Sequence, residues 1–86
     1  MENRTWKIYI LELSNGAYYT GITNNLIKRI EMQKNGKGSK CVRAHLPFDV
    51  VHVELARNKS LALRREAAIK KLSHEQKKDL IEWGME

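Results

Sequence analysis

The chain has 86 residues, 42% of them hydrophobic and 30% charged, with 16 Lys and Arg against 10 Asp and Glu. That balance excludes a disordered segment and suits one thin-cored domain over residues 1–86. No run approaches the ~20 apolar residues of a membrane-spanning helix, so no membrane partner is expected. The net charge of +6 surrounds a small body with a positive field, which favours polyanions and nucleic acid above all. A single cysteine, Cys41, has no internal disulfide partner. With no cleavable hydrophobic stretch at the N-terminus, this points to the reducing cytoplasm.

In chain order, residues 6–13 (Trp-Lys-Ile-Tyr-Ile-Leu-Glu-Leu) are rich in aromatic and β-branched types and are expected to form a strand. Ser14-Asn15-Gly16 signals a turn, and Ala17 to Thr23 returns as the second strand of a hairpin. From Asn24 or Asn25, either a good N-cap, Leu26, Ile27 and Ile30 recur at helical spacing until Gly36 ends the helix. Residues 36–47 are expected to be a basic, glycine-containing loop in which Lys37, Lys40 and Arg43 could grip a phosphate backbone. Phe48 to Leu55 alternates as a third strand, with Val51, Val53 and Leu55 on one side and Val50, His52 and Glu54 on the other. Ser60 is the expected cap of a helix carrying Leu61, Ala62, Ala68, Ile69 and Leu72. Ser73-His74-Glu75-Gln76 has the form of a capping box, opening a last helix with Leu80, Ile81 and Trp83 as its apolar side. The fold class is therefore α+β: a three-stranded antiparallel sheet packed with helices, in the order β-β-α-β-α-α.

The hairpin turn decides whether Tyr9 and Tyr19 meet. A two-residue Asn15-Gly16 loop pairs Glu12 with Tyr19 and sends the tyrosines to opposite faces. A three-residue Ser14-Asn15-Gly16 loop pairs Leu11 with Tyr19 and Tyr9 with Gly21, placing both tyrosines on one face as diagonal neighbours. Strand tyrosines taken alone are more often packing residues. Arg29 lies beside the apolar stripe of the first helix, with Gln33 one turn on over the same patch. Glu66 occupies the shoulder of the next long helix, where a carboxylate can pair with Lys70 or offer a hard oxygen to Mg²⁺. Arg65 falls inside that helix's apolar stripe, either snorkelling outward or pointing into a site. Cys41, His45 and His52 have no zinc-site spacing.

These residues, in this order, resemble the GIY-YIG nucleases over about residues 6–82. Lys7-Ile8-Tyr9 stands where that family carries Gly-Ile-Tyr, and Tyr19-Thr20-Gly21 where it carries Tyr-Ile-Gly. Arg29 matches the helix arginine after the second motif, and Glu66 the single metal-binding glutamate of the following long helix. The stretch Ala62-Leu63-Arg64-Arg65-Glu66-Ala67-Ala68-Ile69-Lys70-Lys71-Leu72 is similar to a branch of small, stand-alone members of unassigned role.

The resemblance implies phosphodiester hydrolysis in nucleic acid, DNA ahead of RNA, with one divalent ion, Mg²⁺ or Mn²⁺. Glu66 would hold the ion, and Arg29 would neutralise charge on the phosphoryl oxygens. Tyr9 or Tyr19 would help to deprotonate water, and Gly21 would leave room for the phosphate. A free phenol, with a pKa of roughly 10, needs nearby cations for that task. Tyr9, Tyr19, Arg29 and Glu66 are then expected on one concave surface, with Gly16 at positive φ. Several positions depart from the family pattern. Lys7 and Thr20 replace the motif Gly and Ile, Ile22 stands where some members place lysine, and no asparagine is matched after Glu66. Gln33 stands where many members carry His or Tyr. The alternative is a nucleic-acid-binding module of this fold, catalytically weak or inactive.

Overall fold

Three residues, Ser14-Asn15-Gly16, make the hairpin turn. Gly16 adopts φ 85°, a left-handed conformation that costs glycine little, and its N–H donates to the Leu13 carbonyl at 2.9 Å. The Asn15 side chain accepts from the Ala17 N–H at 3.1 Å and braces the return. The computed structural model describes residues 5–84 and sets β1 (Trp6–Leu13) against β2 (Tyr18–Thr23) in the three-residue-turn register. Tyr9 lies opposite Gly21, and Leu11 opposite Tyr19. On its other side β1 pairs antiparallel with β3 (Phe48–Ala56), giving one sheet ordered β2-β1-β3.

Helices cover both faces of this sheet. The central strand accordingly buries four consecutive residues, Ile8, Tyr9, Ile10 and Leu11. On one face Tyr9, Leu11 and Leu13 meet Leu26 and Ile30 of α1 (Leu26–Lys34) and Val42 of α2 (Lys40–Ala44). On the other, Ile8 and Ile10 meet Ala62 and Ile69 of α3 (Lys59–Lys70), with Leu80 and Ile81 of α4 (His74–Trp83) at the periphery. Each large apolar side chain so buried contributes about 1.5–3 kcal/mol. The order is the expected β-β-α-β-α-α with one short helix, α2, added before β3.

That added helix corrects the expectation of a plain loop at 36–47. Its five residues carry too little periodicity to be seen in sequence. Contacts made in the fold hold it: the Ser39 hydroxyl accepts from the Cys41 N–H at 3.1 Å, the Ser14 N–H donates to the His45 carbonyl at 2.9 Å, and Val42 is fully buried. Asn58, not Ser60, caps α3, its side chain accepting from the Leu61 N–H at 2.9 Å. The Ser73 and Gln76 capping box forms as expected. Trp83 does not join the apolar side of α4; it is 75% exposed.

β3 brings the largest correction. A bulge opposite the Ile10–Leu11 step leaves Val51 without a partner in the register. Val51 packs on the α3 side, where His52 and Glu54 also lie, opposite Ile10 and Ile8. Val50, Val53 and Leu55 are left exposed on the Tyr9 side. Strict alternation cannot foresee this, because one extra residue inverts every later side chain.

The polar residues sent inward by the bulge are paired. Glu54 accepts from Arg65 Nε at 2.7 Å and Nη2 at 3.0 Å, and lies 2.8 Å from His52 Nε2. Arg65 thus neither snorkels freely nor serves the tyrosine site. It fastens α3 to β3.

Candidate active site

The hairpin register brings Tyr9 and Tyr19 to one face, with ring centroids 6.5 Å apart. Asn25 starts α1 by accepting from the Lys28 N–H, and the helix then lies over that face. Arg29 and Gln33, one turn apart, both descend on the Tyr9 hydroxyl. Arg29 Nε donates to it at 3.3 Å and Gln33 Nε2 also at 3.3 Å. Tyr9 is wholly buried, while Tyr19 is only half-buried.

The hydrogen bond with Tyr9 raises the Arg29 pKa above its ordinary value. Burial opposes the shift, and Tyr19 reinforces it through charge and hydrogen bonding. The guanidinium is held cationic beside both phenols.

Gly21 faces Tyr9 across the strands. A Cβ there would sit 2.5 Å from the Tyr9 hydroxyl, so the space expected to admit a phosphate is filled by Tyr9 itself. The missing side chain lets the hydroxyl end of the phenol pack against β2. The structure also explains Gln33. Its amide oxygen accepts from the Ser39 N–H at 3.1 Å, so a buried side chain joins the tyrosine to the start of α2. Its value as a bridge was invisible in sequence, because its second partner sits across a loop.

Glu66 stands on α3, which packs across β2 and β1 from the opposite face. Its side chain is 18% exposed and pairs with Lys70 Nζ at 3.3 Å. Tyr9, Tyr19 and Arg29 are therefore brought together directly, while Glu66 is carried by the helix that borders β2, the strand of Tyr19, from its other face. Among the described residues, no three His, Cys, Asp or Glu side chains gather as a metal cage. A half-buried single carboxylate nevertheless suits Mg²⁺, which is commonly held by one or two carboxylates with phosphate oxygens and water. Lys37, Lys40 and Arg43 are exposed around α2, next to the bridge from Gln33.

Residues 5–79 match the GIY-YIG catalytic domain, and the chain belongs to that family. Within it, the chain is similar to small proteins of the UPF0213 group. It is 39% identical over 84 residues to a UPF0213 protein of Bacillus cereus (strain ATCC 10987 / NRS 248), covering 98% of this chain and 88% of that one. Identity reaches 43% over 76 residues with one from Oceanobacillus iheyensis, covering 88% of each. The solution NMR structure of a UPF0213 protein from Bacillus halodurans shares the fold, with a TM-score of 0.61 and 35% identity over 93% of this chain and 85% of that one. A solution NMR structure from E. faecalis gives 0.65 and 32% over 95% and 88%.

Proposed function

We propose that this protein hydrolyses phosphodiester bonds in nucleic acid with the help of a divalent cation. The observation that carries this reading is the convergence of Arg29 and Gln33 on Tyr9 beside Tyr19, on a basic chain of the GIY-YIG family. In the reaction a water oxygen forms a bond to phosphorus while a phosphorus–oxygen bond to the sugar breaks. The water loses a proton, and the leaving oxygen gains one from solvent.

Arg29, permanently charged and fixed by Tyr9, neutralises the charge that grows on the phosphoryl oxygens. Tyr19 is the phenol with access to solvent, and we assign it the contact with the attacking water. Tyr9, with two N–H donors on its oxygen and no exposed surface, positions Arg29 instead. Glu66 is the residue that would hold Mg²⁺ or Mn²⁺, which supplies charge stabilisation at the phosphate. Lys37, Lys40 and Arg43 bind the backbone, and DNA is preferred to RNA as the polymer.

One observation favours a second reading, a binding module with little catalysis. Gln33, which cannot exchange a proton near neutral pH, fills the buried position under Tyr9.

A cleavage assay on single-stranded, duplex and branched DNA and on RNA, with Mg²⁺ or Mn²⁺ against chelator, separates the two. Under the enzyme reading Glu66→Ala abolishes metal-dependent cleavage. Metal-free binding persists or tightens in that variant, because a negative charge has left the site. Tyr19→Phe lowers the rate by about 10²-fold or more. Wild-type cleavage no faster than Glu66→Ala on every substrate establishes the binding module instead.

A further inference from the structure

Gln33 is a polar side chain buried to 1% exposure, with both ends of its amide committed. The Ser39 N–H can only donate, so it must face Oε1, and this leaves Nε2 to donate to Tyr9. Neighbouring residues are shaped around this link. A Cβ on Gly38 would collide with Gln33 Oε1, so the backbone can approach the amide only at glycine. Ser39 then caps α2 with its hydroxyl, while its N–H is held by Gln33. Three residues later Val42 packs in the same buried cluster as Tyr9. The segment bearing Lys37, Lys40 and Arg43 is therefore tied to Tyr9 both by packing and by a hydrogen-bonded amide.

We propose that Gln33 is a positioning residue that couples the seating of the basic segment to the alignment of Tyr9 and Arg29. The inference rests on the phosphodiesterase reading above. A polymer backbone drawn onto Lys37 and Lys40 pulls on Ser39. That displacement passes through the Gln33 amide to the Tyr9 hydroxyl, and from there to Arg29. The aligned site is in this way linked to a seated substrate.

Position 39 offers a way to break this link from its far end, with the cap as the control. Ser39 has φ −61°, an angle proline adopts, so Ser39→Pro deletes the N–H donor together with the hydroxyl cap and puts a ring carbon where the hydrogen faced Gln33. Ser39→Ala deletes the cap alone. Gln33→Met removes both hydrogen bonds at nearly constant volume. Two readouts are taken on each folded variant: the NMR signals of the Tyr9 ring and the Arg29 Nε–H, and the kcat and KM of cleavage.

Coupling through Gln33 requires Ser39→Pro and Gln33→Met to shift both NMR signals, and Ser39→Ala to leave them in place. It also requires kcat to fall about tenfold or more in the two linked variants, with KM changed less than about threefold, as for a misaligned site. Unmoved signals in Ser39→Pro overturn the coupling whatever the kinetics. Moved signals with unchanged kcat reduce Gln33 to a structural brace and also overturn it. If wild type cleaves nothing, the phosphodiesterase reading fails on its own account. The coupling is then judged by the signals and by oligonucleotide binding, which must shift the Tyr9 ring in wild type and not in Ser39→Pro.

Discussion

Thr20, the middle residue of the second motif, is 3% exposed, and its hydroxyl has no hydrogen-bond partner among the described residues. It lies opposite Ile10, in a layer otherwise filled by Ile8, Ile22, Ala62 and Ile69. Burying a hydroxyl without a partner costs about 1–3 kcal/mol. Thr20→Val keeps the shape and removes that cost, so it should stabilise the fold by about 1 kcal/mol. In a domain of this size the gain raises Tm by about 4–8 °C, measured by thermal unfolding at pH 7. A lowered Tm would show that the hydroxyl has a partner. Gly21, one residue on, answers to a different constraint: Tyr9 occupies the space above it, so even alanine must displace the phenol and its two donors.

The attachment of α3 to β3 is ionic at its centre, and it makes the element's stability depend on pH. Burial pushes the Glu54 carboxyl upward, but hydrogen bonds from Arg65 and His52 outweigh it and leave the pKa below its ordinary value. A depressed carboxyl pKa contributes stability that is fully present above the unfolded value, about 4.3. That contribution is lost as pH falls through the folded value. Tm measured from pH 7 to pH 3 should therefore hold steady down to about pH 5 and then decline. Glu54→Gln should flatten the acid limb and lower stability at pH 7 by about 2 kcal/mol. The figure is kept modest because the Arg65 side chain is 35% exposed and water can solvate it. An acid limb unchanged in Glu54→Gln would assign the pH dependence to other carboxylates. At the far end of the sheet α4 is docked differently: His74 stacks on Tyr18 at 4.5 Å and its Nε2 lies 3.0 Å from the Gly16 carbonyl. The helix start is thereby registered on the hairpin turn.

For the whole molecule, the excess of positive charge is a long-range property, and its contribution to binding falls with added salt. Lys37, Lys40 and Arg43 are exposed on one short stretch beside the site. Replacing all three with Ala should weaken nucleic-acid binding on every sequence. The slope of log K against log salt should shrink by about 2–3, near 0.7–0.9 for each lost phosphate contact. Binding titrations from 50 to 200 mM salt check this, and an unchanged slope would remove the segment from the interface. Among the described residues no helix is long and apolar enough to cross a membrane, and Cys41 is free and exposed.

Sequence alone determined the strands, the three long helices and the family. The elements rest on local or regularly repeating signals (β-branched runs, helical spacing, the Asn25 and Ser73 caps, and a turn whose glycine takes positive φ), and the family on the resemblance of its motifs. The resemblance also singled out Tyr9, Tyr19 and Arg29, and the three-residue turn that unites the tyrosines was one of two the sequence allowed. Tertiary structure alone decided the rest. α2 is anchored because Val42 joins the buried cluster of Tyr9, Leu11 and Leu13, which lie about thirty residues away in sequence. The β3 bulge reversed the faces of His52, Glu54, Val53 and Leu55, since one unpaired residue overrides a two-residue period. Arg65 found Glu54 only once α3 lay across the sheet. Gln33 became a bridge only when the loop after α1 folded back to offer it the Ser39 N–H. Local propensity is carried by neighbours in the chain. The partners of a buried polar group are chosen by packing, which brings together residues that sequence order keeps apart.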